Sequence, residues 1–108
     1  LNDLQTAVEI EPESSSAYYK LGLYHQNQKD DKQALHNFAK AVEFDPKMHG
    51  SFYMQGMIYK EQGQFQKAID LFTQSLKIKP NWAVYHYHRG EAYEEIGEIE
   101  KPGSFFPL

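Results

Sequence analysis

The chain repeats itself every 34 residues. Pro12, Pro46 and Pro80 keep that step, and so do Gly22, Gly56 and Gly90, and Tyr19, Tyr53 and Tyr87. Ala34 and Ala68 share it, as do Leu4, Phe38 and Phe72. A fixed period of this length marks an array of similar units, each burying its apolar face against its neighbours. Every recurring residue type has a physical reason to recur. The prolines follow apolar helical stretches, as in Ala41-Val42-Glu43-Phe44-Asp45-Pro46, where a residue without an N–H cannot continue the helix. Gly22 and Gly56 fall inside helical patterns, where glycine costs about 1 kcal/mol against alanine. A glycine kept at that cost points to close approach of two helices. Ala34 and Ala68 would be the small residues of the facing helix, and Phe38 and Phe72 would fill the layer beside them.

Leu21-Gly22, Ala34, Phe38, Ala41 and Pro46 in one unit, with Gly56, Tyr59, Gly63, Ala68, Phe72 and Pro80 in the next, resemble the tetratricopeptide repeat. That family is built from helix–turn–helix units of about 34 residues. The resemblance covers residues 1–97 and implies an all-α fold, a right-handed superhelical solenoid of antiparallel helix pairs. Residues 1–12 read as the second helix of an incomplete repeat, 15–48 and 49–82 as whole repeats, and 83–97 as the first helix of a third. Within them the register predicts helices over 15–28, 32–45, 49–62, 66–78 and 83–96, with turns at Asp30-Asp31 and Gly63-Gln64. Residues 98–108 read as an irregular tail, because Pro102 falls where Ala34 and Ala68 stand and Pro102-Gly103 cannot be the middle of a helix. Lys29 departs from Gly63 at the turn, at a backbone cost of about 1 kcal/mol if that turn needs a left-handed residue. Asp31 replaces the aromatic Phe65.

Composition narrows the function classes. Eleven Lys and Arg against fifteen Asp and Glu give a net charge of −4, the wrong sign for a nucleic-acid face or an anionic membrane surface. The absence of cysteine removes disulfides and thiolate metal sites, and fits an intracellular, cytoplasmic protein. The chain opens on Leu1, which suggests a piece of a longer protein. His86 and His88 would point about 200° apart on a helix and cannot share an ion; His25, His36 and His49 are scattered. His25 stands at the register of Tyr59 and Tyr93 and is expected to pack between helices. No nucleophile elbow, phosphate loop or zinc-protease motif is present, and Glu94, Glu95, Glu98 and Glu100 read as a solvated helix end. No enzyme activity, metal or cofactor is expected of this segment.

What remains is binding. The resemblance implies that the first helix of each unit lines a concave surface, which would carry Tyr19, Tyr53 and Tyr87. One turn on come Leu23, Met57 and Glu91, and a further turn on Gln26, Lys60 and Glu94. The candidate partner-binding set is therefore Tyr19, Leu23, Tyr53, Met57, Lys60, Tyr87, Glu91, Glu94 and Glu95. Tyrosine suits packing at these positions as well as contact with a ligand. Clamps of this family that hold a C-terminal carboxylate use Lys, Asn and Arg, where this chain has Tyr19, Leu23, Met54, Val84 and His88. The asparagine ladder that grips extended peptides is replaced by Lys20, Met54 and His88. Trp82, after Pro80-Asn81, reads as a wedge between units or as an interface anchor.

Residues 83–108 carry five Glu against Arg89 and Lys101, so the expected ligand is a protein or peptide with apolar anchors and a basic segment. A second reading is architectural. Leu4 and Val8 at one end, and Tyr93 and Ile96 at the other, lack part of their cover. A second copy of the chain or the Phe105-Phe106 segment folding back would supply it. A third reading places the activity in a larger protein, outside this chain.

Overall fold

The structure, a computed structural model, describes residues 2–97; the tail expected over 98–108, with Pro102 and Phe105-Phe106, lies outside the described residues. Six α-helices and no strand are found among the described residues: α1 Asn2–Ile10, α2 Ser15–Asn27, α3 Asp31–Phe44, α4 His49–Glu61, α5 Phe65–Ile78 and α6 Ala83–Glu95. The chain forms two compact units, Leu1–Ser51 and Phe52–Leu108, and the division falls inside α4.

In the first unit α1 packs on α2, and α2 on α3. Two side chains start these helices. The Ser14 hydroxyl accepts from the Ala17 N–H at 3.2 Å, and the Asp30 carboxylate from the Gln33 N–H at 3.2 Å. Each satisfies one of the donors that a helix start leaves without a partner. Between α2 and α3 the Asp30 N–H reaches the His25 carbonyl at 2.9 Å and the Lys29 N–H the Gln26 carbonyl at 3.0 Å. That tight reversal places Lys29 at φ 63°, so the turn does require a left-handed residue. His25 is half-buried, edge-on to the Tyr24 ring and 4.0 Å from Asp30.

The core of this unit is Ala17, Leu21, Ala34, Phe38 and Ala41. The recurring glycine has its reason here. A Cβ on Gly22 would stand 2.6 Å from two carbons of the Phe38 ring, closer than such atoms come. The ring, not the neighbouring Ala34, occupies the space the glycine leaves. Ser51, fully buried, donates its hydroxyl to the Phe38 carbonyl at 2.7 Å. This bond ties the start of α4 to α3.

The second unit repeats the construction. Gln64 N–H reaches the Tyr59 carbonyl at 2.9 Å and Gly63 N–H the Lys60 carbonyl at 3.0 Å, with Gly63 at φ 79°. Ile58, Ala68, Ile69, Phe72, Leu76, Tyr85 and Ala92 form its core, and α5 packs against α6. A Cβ on Gly56 would meet the Phe72 ring at 2.7 Å. One local device is missing: Gln64 precedes α5 at φ −92°, ψ 72°, close to the Asp30 geometry, yet no side-chain bond caps the helix. Trp82 does not sink in as a wedge. It is 44% exposed and stacks on Tyr85 with ring centroids 5.7 Å apart, with Lys79 Nζ 5.8 Å from its ring. Among the described residues no helix is long and apolar enough to cross a membrane.

Candidate binding site

The candidate residues of the second unit lie on α4 and α6, the two helices that open their 34-residue repeats. Tyr53 is half-buried, 5.9 Å from the Phe72 ring, 4.9 Å from Tyr85 and 5.7 Å from His88, and burial raises its phenol pKa. Lys60, at the end of α4, reaches across to α6 and forms a short charged hydrogen bond with Glu91. His88 Nδ1 lies 3.2 Å from the Lys60 ammonium and 3.1 Å from Glu91. It accepts from the ammonium in one neutral tautomer and donates to the carboxylate in the other.

The electrostatics follow from these positions. Burial, and then the Lys60 charge, lower the His88 pKa below its ordinary value, so the ring is neutral at pH 7. The Lys60 hydrogen bond lowers that of Glu91. Tyr87 stands 62% exposed, one turn before Glu91, and the Glu91 charge raises its phenol pKa. Met57 is half-buried; Glu94 and Glu95 are exposed.

Beside this cluster lies a cavity of about 530 Å³, lined by Pro80, Asn81, Ala83, His86, Tyr87, Gly90, Glu91 and Glu94. Among the described residues, its lining comes from one face of α6 and the turn before it. His86 is held by the Pro80 carbonyl at 2.7 Å from Nε2. Three residues of the candidate set, Tyr87, Glu91 and Glu94, lie on the cavity. Tyr53, Met57, Lys60 and Glu95 are not among its lining residues. The sequence reading missed His88, which stands beside the Lys60–Glu91 pair, together with Gly90 and His86. Gly90 was legible in the glycine series; nothing in the sequence signals the histidine contacts, which need the spacing of α4 and α6.

In the first unit Tyr19 and Leu23 are both half-buried. Tyr19 leans on the Phe38 ring at 5.6 Å, and burial raises its pKa. The three tyrosines thus occupy one register but two environments: Tyr19 and Tyr53 lie against a phenylalanine of the following helix, and Tyr87 faces the cavity. Among the described residues no group of three or more His, Asp or Glu is placed to hold a metal ion.

Helix pairs of this kind, with turns repeating the same hydrogen bonds, define the class of helical-repeat interaction scaffolds. Comparison with known families gives the particular one. Residues 15–48 match the tetratricopeptide repeat and residues 56–97 match a TPR repeat, so the chain belongs to the tetratricopeptide repeat family. Among solved structures, that of the MamA protein is 25% identical with a TM-score of 0.86, covering 93% of this chain and 55% of MamA. YrrB, described as a TPR protein with an unusual peptide-binding site, is 20% identical with a TM-score of 0.82, covering 88% of this chain and 49% of YrrB. The chain therefore spans about half the length of these proteins. No curated protein matches the sequence.

Proposed function

We propose that this chain binds a peptide or partner protein through the first helices of its helix pairs, and that the ligand brings an apolar anchor and a basic segment. The carrying observation is Tyr87, 62% exposed beside a cavity of about 530 Å³ whose lining includes Glu91 and Glu94. Tyrosine is enriched among the residues that anchor interfaces, since it offers area with few rotors to freeze. Glu91 carries the Lys60 contact as well, so its charge is partly offset; Glu94 and Glu95 are exposed and supply the steering field. Tyr53, Met57 and Lys60 do not line the cavity and are assigned a contact role on the neighbouring α4 of the same unit. Tyr19 and Leu23 are assigned the same role within the first unit.

The test is capture of partners on the immobilised chain and measurement of their affinity at several salt concentrations. Replacing Glu91, Glu94 and Glu95 with Gln should weaken binding and flatten its salt dependence. The Glu94→Gln, Glu95→Gln pair should show most of the effect, because it leaves the Lys60 contact intact. Unchanged affinity and unchanged salt slope in both variants would refute the charge-guided reading. The architectural reading has an observation of its own in Trp82, Val84, Tyr87 and Ile96, all exposed on or beside α6. It requires concentration-dependent association of the chain, which sedimentation measures.

A further inference from the structure

We infer that Lys60, His88 and Glu91 form a proton-operated latch between α4 and α6, closed while His88 is neutral and opened when a proton on its ring takes Glu91 away from Lys60. The latch rests on the binding function proposed above only for what it regulates.

The geometry asks one nitrogen to serve two partners of opposite charge. His88 Nδ1 is 3.2 Å from the Lys60 ammonium and 3.1 Å from the Glu91 carboxylate. An ammonium only donates, and an ionised carboxylate only accepts. With the ring proton on Nε2, Nδ1 accepts from Lys60, which also holds Glu91. In that state Lys60 ties α4 to α6 by charge. With a proton on both nitrogens, Nδ1 donates to Glu91 and carries positive charge 3.2 Å from the ammonium. Two like charges do not stay at hydrogen-bond distance, so one of them withdraws.

The packing decides which one. The His88 ring lies among Tyr53, Phe72 and Tyr87, with ring centres 5.7, 6.3 and 5.1 Å away. Lys60 stands in the last turn of α4 on a flexible four-carbon stem, so the lysine swings out. Glu91 then passes to a partner three residues away on its own helix, and the charged tie to α4 is lost. Among the described residues, Lys60 and Tyr53 face the ring from α4, Phe72 from α5, and Tyr87 and Glu91 from α6 itself. Arg89, the next residue, reaches instead to the Thr73 hydroxyl at 3.2 Å. The Lys60 hydrogen bond lowers the Glu91 pKa from 4.5, and the Tyr53 and Tyr87 phenols are raised, by burial and by the Glu91 charge. The carboxylate thus stays ionised and the phenols neutral while His88 takes up its proton. Glu91 lines the cavity, and opening changes the charge beside it. Lys60 and Glu91 cancel while His88 is neutral; the added proton leaves one positive charge in excess, and a basic ligand is held less well in acid.

The test is an NMR titration of the whole chain from pH 7 downward, following the His88 ring and the Lys60 ε-carbon. His88 should titrate with a midpoint below 6.5, and the Lys60 signal should shift at that same midpoint as its partner is lost. Lys60→Met should raise the His88 midpoint by removing the repulsion, and Glu91→Gln should lower it by removing the acceptor. In His88→Gln the Lys60 signal should stay flat over the same range. Lys60 and Glu91 are partly exposed, so their two variants test the latch even where His88→Gln fails to fold.

A His88 midpoint indifferent to both Lys60→Met and Glu91→Gln overturns the inference. So does a Lys60 signal that stays flat while His88 titrates, or one that shifts equally in His88→Gln. The titration uses no ligand, so its outcome is separate from that of the proposed function. If captured partners ignore the glutamate replacements while Lys60 still follows His88, the binding reading falls and the latch stands.

Discussion

Replacing Gly56 with alanine sets two effects of known size against each other. In an ordinary helix interior the change stabilises by about 1 kcal/mol, because glycine is the more costly residue there. In this helix the added methyl would stand 2.7 Å from Cε1, 2.9 Å from Cδ1 and 3.2 Å from Cζ of Phe72, where ordinary contact begins at 3.4 Å. The ring would have to retreat by most of an ångström. It is fully buried, with Tyr53 at 5.9 Å and His88 at 6.3 Å between ring centres, so it has nowhere to go. Overpacking of this kind costs about 1–3 kcal/mol. The net expectation for Gly56→Ala is a loss of roughly 1 kcal/mol after the propensity gain is subtracted.

A second variant turns this into a test of sign. Phe72→Leu removes the ring carbons that clash and destabilises by itself. In that background Gly56→Ala should change from harmful to helpful, by about 1 kcal/mol, since only the propensity gain is left. Urea unfolding followed by the helical circular dichroism signal measures all four proteins, with slopes compared to confirm that the unfolded state is unchanged. If Gly56→Ala stabilises the original chain, or if its effect is the same with and without the Phe72 ring, the close-approach account of the repeated glycine is wrong.

Four further outcomes follow from the geometry. Lys29→Gly should stabilise by about 1 kcal/mol in thermal or urea unfolding, because Lys29 holds φ 63° with a side chain that disfavours it. Gln64→Asp should add about 1 kcal/mol by the same assays, supplying the cap that Asp30 gives α3 in matching backbone geometry. His88 has a pKa lowered from 6.5 in the folded chain, so its neutral form contributes stability above that pH, which is lost as pH falls through the folded value. Stability measured from pH 7 downward should therefore drop in that window, and the drop should shrink in His88→Gln; an identical profile would refute the assignment. Phe38→Ala, which empties a fully buried position facing Gly22, should cost about 3–5 kcal/mol and be visible as a large fall in the melting temperature.

The helices were legible in the sequence because period and turn chemistry agreed. α2, α4 and α6 begin at Ser15, His49 and Ala83, where the register expects them, and α3 and α5 begin one residue earlier than expected, at Asp31 and Phe65. A one-residue offset is within the ordinary fraying of helix ends. The left-handed turn at Lys29 was legible too, since Gly63 marks the same place one unit later. The candidate binding residues were harder to read, and the tyrosines show why. A period reports which face of a helix a residue occupies, but its surroundings depend on what the next helix brings. Tyr19 and Tyr53 have Phe38 and Phe72 against them and are half-buried; Tyr87 lies on a cavity and is 62% exposed. The same letter at the same register is thus a packing residue twice and a candidate anchor once. His88 marks the other limit. Its partners, Lys60 and Glu91, are 28 residues before it and 3 after it, and only the packing of α4 with α6 sets a neutral imidazole beside their ion pair.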